Sequence, residues 1–393
     1  MKKWFLTIMC VALLLPSLGK ANPYLQQDIS ILKADLQENP NDYDKLVALA
    51  SSYLYAGEFT EAIRVFNLAI KEKPKDAMNY FALGMAYESL EDWPKAQVNY
   101  ELAIKHDPKL NEAHMSLGLI YLNQGEAEKA IRIYFSALEN DPLDYRGYFG
   151  LGVVYQAMGL NVYAIEAYNE AITLKRDFAD GYNNLGICLS REGYFDEAVL
   201  AYNAAIKLSP EYAEAAHNNL GIARQRLDQH EEAIQSFTEA VMLKPDYAKA
   251  HYNIARSFQI LGQQDDAVLS YKKAIFFEAD FDEAHYGLGS VLGSMKQYEK
   301  AAKSFKTAIQ LNPNHVQAYF NLGWVYGKQG RHDKELKSYA KALEIDENYA
   351  KAHLGIGLAY LKKGQREEAN GHYQKLKTMD GDMAEILHEM MEE

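Results

Sequence analysis

Asparagine recurs along this chain at a fixed interval. Asn184, Asn219, Asn253 and Asn321 share one register, interrupted at Gly287, and Asn183 and Asn218 stand just before two of them. Arg191, Arg226 and Arg256 accompany the row. An Asn side chain is both donor and acceptor, so a row of them can clamp the backbone of an extended peptide without reading its side chains. The other reading is that each amide pairs with a neighbouring helix. Histidine recurs too, as His114, His217, His251, His285 and His353. Neighbouring helices pack about 8–10 Å apart, whereas zinc ligands each come within about 2 Å of the metal. Register-matched histidines on successive elements are therefore packing residues, and no metal or other cofactor is expected.

Enzyme signatures do not appear: there is no glycine-rich phosphate loop, HExxH, GxSxG or CxxC. Acid pairs such as Asp265-Asp266 and Glu231-Glu232 belong to solvated helix faces. No stretch outside the repeating part is long enough for a catalytic domain, so the chain is not expected to be an enzyme.

The elements that carry these residues are written in Leu-Gly pairs at 83–84, 117–118, 151–152, 185–186, 220–221, 288–289 and 322–323. The interval is 34 residues, with one of 35 caused by an extra residue between 211 and 221. Large residues three before the Leu and three after the Gly, as at Tyr87, Tyr121 and Tyr155, have helical spacing. A turn follows, often at glycine: Gly57, Gly125, Gly159, Gly193, Gly262, Gly330 and Gly364. A second helix then carries Ala, an aromatic and Ala, as in Ala198, Tyr202 and Ala205, and proline closes it at Pro74, Pro108, Pro142, Pro210, Pro245 and Pro313. Each unit is thus a helical hairpin. One hairpin cannot bury its own apolar face, so it needs neighbours.

These ten units, beginning near 43, 77, 111, 145, 179, 214, 248, 282, 316 and 350, closely resemble the tetratricopeptide repeat. Departures are local: Arg176, Ala279, Glu347 and Gly381 stand where proline is usual, Glu335 replaces a small residue, and Arg224 replaces an aromatic. With the extra residue, Arg224 marks 211–224 as the expected irregularity in pitch. The resemblance implies an all-α, right-handed superhelical solenoid with ten repeats over 43–380, an N-terminal capping helix within 22–42 and a C-terminal one over 381–393. In that last segment Met383, Ile386, Leu387 and Met390 share one helical face.

By the same resemblance, the concave wall is lined from the second, fifth, sixth, ninth, twelfth and thirteenth places of each unit. Those places hold an apolar set early in the chain, Phe81, Met85, Met115, Leu119 and Phe149, and the asparagines and arginines named above later on. The amide register resembles the asparagine ladder of O-linked N-acetylglucosamine transferase. No unit has the Lys-and-Asn pair of the family's carboxylate clamp for chaperone tails.

Residues 1–21 read as a signal peptide: Lys2 and Lys3, an apolar run from Trp4 to Leu15, and small Gly19 and Ala21 before the cleavage point. The alternative is an uncleaved N-terminal membrane anchor. Cleavage takes the 41 basic residues to 38 against 54 acidic, a balance of about -16, which makes nucleic acid an unsuitable partner. Cys188 is then the only cysteine, so no internal disulfide forms. The sequence points to a periplasmic or secreted scaffold that binds a protein or peptide partner in its groove, in cell-envelope assembly. A second reading is a regulatory subunit that docks an envelope polysaccharide or pilus enzyme through its convex or end surfaces.

Overall fold

A computed structural model describes residues 25–210 and 213–392. The leader 1–21, and Glu211 and Tyr212 of the long interval, lie outside the described residues. Among those residues the chain is helical without strands, and it divides into two compact units, one ending at Tyr194 and one beginning at Phe195. The first unit opens with the helix Leu25–Glu38. The hairpins Tyr43–Tyr55/Phe59–Glu72, Ala77–Ser89/Trp93–His106, Asn111–Asn123/Ala127–Asn140 and Tyr145–Ala157/Asn161–Leu174 follow, then the helix Ala179–Glu192. The second starts with the helix Phe195–Leu208. It continues as Glu214–Arg226/His230–Leu243, Ala248–Ile260/Gln264–Phe277, Asp282–Ser294/Tyr298–Leu311, Val316–Lys328/His332–Ile345 and Ala350–Lys362/Arg366–Met379, and ends with Gly381–Glu392.

In most hairpins a small residue of the first helix lies under an aromatic ring of the second. The aromatic of the second helix lies against the Leu-Gly glycine of its own first helix: a Cβ built at Gly84 would meet the Tyr100 ring at 2.6 Å, and one at Gly152 would meet Tyr168 at 2.5 Å. These rings are buried, as are the flanking alanines, so close approach of backbones, not bulk, holds the hairpin. In three hairpins the ring is a tyrosine whose hydroxyl also bridges the pair: Tyr100 donates to Glu88 at 2.5 Å, Tyr168 to Gln156 at 2.7 Å and Tyr271 to Gln259 at 2.7 Å. Burial pushes the Glu88 carboxyl above the usual carboxylate range, against the opposing hydrogen bond from Tyr100.

All seven turn glycines named from the sequence have positive φ. Where a turn lacks glycine, Glu91, Asp228 and Lys296 adopt the same left-handed backbone at φ 58°, 59° and 61°. The turn geometry is fixed by the hairpin, and these three residues accept the strain.

At four joints the fourth-place side chain bonds a backbone carbonyl six residues earlier, in the turn that ends the preceding second helix. Tyr80 donates to the Pro74 carbonyl at 3.0 Å, and the Nε2 atoms of His251, His285 and His353 do so to Pro245, Ala279 and Glu347 at 3.0, 3.1 and 3.0 Å. Three of the five recurring histidines are thus spent on joints, whereas His114 Nδ1 meets the Leu110 carbonyl of its own helix start at 3.0 Å and His217 Nδ1 is buried without a partner. Among the described residues no group of three His, Cys, Asp or Glu side chains is arranged to hold a metal ion.

Two departures from the repeat have compensations. Arg224, in place of an aromatic, donates to Ser236 Oγ at 2.7 Å and to the Glu232 carbonyl at 3.1 Å across its hairpin. Glu335 is buried where a small residue is usual, and the facing residue is Gly327, at which a Cβ would lie 2.4 Å from the carboxylate. Bulk has changed sides, and His332 Nδ1 meets the displaced carboxylate at 2.8 Å.

The closing helix differs in rotation from the sequence expectation. Leu387 and Ala384 are buried against Leu376, with Met383 and Met391 partly so, while Ile386 and Met390 stay exposed. Leu387 sets the rotation by seating on Gly357, whose missing side chain leaves it room.

In the last hairpin His353 and His372 meet through their Nδ1 atoms at 2.9 Å. His353 Nε2–H is donated to the Glu347 carbonyl, which leaves Nδ1 of the neutral ring as the acceptor for His372 Nδ1–H. Burial, then the facing His353 and Lys375, lower the His372 pKa to about 4. A histidine depressed in the folded state loses stability as pH falls from its unfolded value near 6.5 to about 4, because the unfolded chain takes up the proton first. Discounted for partial solvent exposure, the loss is on the order of 1 kcal/mol. Thermal melts of wild type and His372→Asn at pH 7.5 and 4.5 should show a smaller pH effect in the variant; equal effects would refute the assignment.

Candidate functional site: the inner face of the first helices

Within each unit, first helices touch the next first helices, for example Asn111–Asn123 with Tyr145–Ala157 and Ala248–Ile260 with Asp282–Ser294, and no second helices approach one another comparably. First helices therefore form the tighter, inner row of each unit, and their outward-facing places form its inner surface.

In the first unit the expected apolar lining needs correction. Phe81, Met115 and Phe149 are buried. Phe81 packs on the Tyr100 ring at 5.7 Å, and Phe149 lies between Tyr168 at 5.7 Å and Phe178 at 4.8 Å. Their spacing is that of core residues, and core is where they go. Met85 and Leu119 keep partial exposure. Asn183 is half-buried, with its Oδ1 enclosed and unpaired. Asn184 is also half-buried and lies near the Tyr168 hydroxyl, whose pKa burial raises well above the usual value. Arg191 is exposed. Cys188 is buried, and burial pushes its thiol up to about 11, so it stays protonated.

In the second unit two of the asparagines come together. Asn253 Nδ2 donates to Asn218 Oδ1 at 3.2 Å, and both are buried. The Asn253 carbonyl accepts from Gln225 Nε2 at 3.0 Å, which also reaches Ser257 Oγ at 2.7 Å. Asn321 does not meet another asparagine; its Nδ2 donates to the Tyr286 hydroxyl at 3.0 Å. Asn219 is half-buried. The amides of Asn253 and Asn321 thus link neighbouring first helices. The gap at Gly287 has a steric cause, since a Cβ there would lie 2.4 Å from the Tyr271 ring of the preceding hairpin. Gly150 and Gly355 stand in the same place against Tyr134 and Tyr339.

Arg226 and Arg256 are exposed on this surface, over the rings of Phe195 at 5.2 Å and Tyr252 at 5.8 Å. Two features escaped the sequence reading. One is Trp324, an inner-face residue that is 37% exposed. The other is a partly buried ionic knot in the first unit: Arg146 Nε and Nη2 bond both oxygens of Asp144 at 2.9 Å, and Nη1 meets Glu112 at 3.2 Å. Burial opposes ionisation of Asp144, but hydrogen bonds from Arg146 hold its carboxyl below the usual range. Charged residues 34 apart at second places, Glu112 and Arg146, were the available signal.

Stacked helical hairpins, with an inner surface of amides, cations and aromatic rings, define a protein-interaction scaffold. The chain belongs to the tetratricopeptide repeat family: family models of that description match residues 47–99, 81–145 and 117–176, then 179–212, 214–247, 248–275, 280–348 and 351–379. Among curated proteins none matches. Similar solved structures include MamA, 28% identical over 42% of this chain and 97% of that one, with a TM-score of 0.40. YrrB, described as a TPR protein with an unusual peptide-binding site, is 23% identical over 47% and 95%, with a TM-score of 0.40. PilF of Pseudomonas aeruginosa is 22% identical over 53% and 94%, with a TM-score of 0.47.

Proposed function

We propose that this protein is an exported scaffold that holds extended segments of a partner protein along the inner faces of its first helices, in assembly of the cell envelope. In this reading residues 1–21 leave as a leader, ten repeats span 43–380, and the segments 22–42 and 381–393 cap them. The observation that carries it is the inner surface of each unit: exposed Arg191 and half-buried Asn184 in the first, exposed Arg226 and Arg256 and half-buried Asn219 in the second. Export rests on the leader sequence. Among the described residues no helix is long and apolar enough to cross a membrane.

The test is a crosslinking pull-down from envelope extract with the Asn184→Ala, Asn219→Ala and Asn253→Ala triple variant. At about 1 kcal/mol per amide contact, capture should fall on the order of a hundredfold. Asn253 also joins two helices, so the Asn184→Ala, Asn219→Ala double variant, with an unchanged melt, is run beside it. Undiminished capture by both would transfer the function to the outer surface. That second reading, docking of an envelope enzyme, is favoured by Leu269 and Phe276, exposed seven residues apart on one outer helix face, with Met242 exposed on the preceding second helix.

A further inference from the structure

The whole chain is acidic, at -13, yet the inner face of its second unit is not. Arg226, Lys328 and Lys362 hold the thirteenth place of their repeats, Arg256 a ninth place, and Lys249 and Lys351 second places; all six are exposed. At these lining places of the second unit the only carboxylate is Glu283. No ion pair among the described residues engages any of the six. The unit's acids cluster elsewhere, as in the first turns of the second helices at Glu231, Glu232, Asp265 and Asp266.

Trp324 stands within this cationic face. It rests over Gly293, where a Cβ would lie 3.3 Å from its ring. Tyr298 meets it edge-on at 6.1 Å, and Lys328 Nζ lies 5.6 Å from its centroid. A partly exposed aromatic side chain packed on Gly293 and Tyr298, with Lys328 beside its ring, has the composition of an interface anchor.

We propose that this inner face binds extended acidic protein segments, with carboxylates on Arg226, Arg256 and Lys328 and an apolar side chain on Trp324. The proposal rests on the inner-face reading above and adds the chemistry of the occupant. Charge complementarity fixes the sign, and helix spacing fixes the form. An extended chain advances about 3.3 Å per residue and neighbouring helices lie about 8–10 Å apart, so roughly every third side chain faces a new repeat. The matching segment carries Asp or Glu about every third residue with a large apolar residue among them. Nucleic acid, the other polyanion, must approach a chain whose net charge repels it.

The test is fluorescence anisotropy of the full chain with labelled 18-residue peptides carrying Glu, Lys or Gln at every third position. The Glu peptide should bind best and weaken as salt rises. Arg256→Glu with Lys328→Glu should weaken it at least about tenfold and improve binding of the Lys peptide, and Trp324→Ala should weaken the Glu peptide without inverting the preference. All three substituted residues are exposed, and circular dichroism checks that the fold is kept. If Glu and Gln peptides bind equally, are insensitive to charge reversal but are lost with Trp324→Ala, the inner face stands and the acidic preference is wrong. If no peptide binds, the acidic preference is overturned, and capture undiminished by the asparagine variants would then remove the inner face as well. A single-stranded oligonucleotide that outcompetes the Glu peptide would also overturn it.

Discussion

Gly287→Asn, which completes the asparagine register in sequence, should destabilise the second unit by about 2–3 kcal/mol, the cost of overpacking a tight site. Any β-carbon at this position would stand 2.4 Å from the Tyr271 ring. That ring is buried and tied to Gln259, so moving it aside breaks a hydrogen bond and disturbs a packed core. Urea denaturation followed by circular dichroism measures the loss, and a two-residue cycle identifies its cause. Tyr271→Ala alone leaves a cavity and should cost about 3–5 kcal/mol. In the double variant the two costs should fall short of their sum, because the asparagine fills the space the ring vacates. A wild-type midpoint for Gly287→Asn would mean that sterics do not keep the register open here.

Leu387→Ala should cost about 2–5 kcal/mol, felt first at the C-terminal hairpin. Leu387 is fully buried against Gly357, Leu376 and the inner-row leucines Leu354, Leu358 and Leu361. In stacked repeats each unit is stabilised mainly by its neighbours, so damage at an end stays near that end. Hydrogen exchange should quicken across Ala350–Met379 and remain unchanged in the hairpins before Leu174. Ile386→Ala, on the exposed side of the same helix, should change stability by less than about 0.5 kcal/mol. Equal effects of the two would mean that the closing helix does not seat as described.

The hairpins were legible because backbone demands leave residue signatures. Leu-Gly pairs mark where a ring meets a backbone, and the glycines at 57, 125, 159, 193, 262, 330 and 364 mark left-handed turns. What a side chain does at a lining place was less legible. Phe81 and Phe149 have the spacing of a groove and of a core alike, and only the rings of Tyr100 and Tyr168 decide for the core. The amide register mixes roles for the same reason: Asn253 pairs with Asn218, Asn321 reaches a tyrosine, and Gly287 yields to a ring from the preceding hairpin. Each outcome depends on a residue about 16 or 35 positions away, beyond the reach of local pattern. The compensation of Glu335 by Gly327 was readable in principle, since both break the repeat at facing places.

Of the carbonyls that receive the fourth-place bonds, two belong to prolines, Pro74 and Pro245, and two to Ala279 and Glu347 where proline is usual. A carbonyl is the same group whatever side chain it sits beside. Mutation can therefore replace the proline beside such a carbonyl without removing the bond it accepts, as Ala279 and Glu347 show at the positions where a reader of the sequence first looks for punctuation.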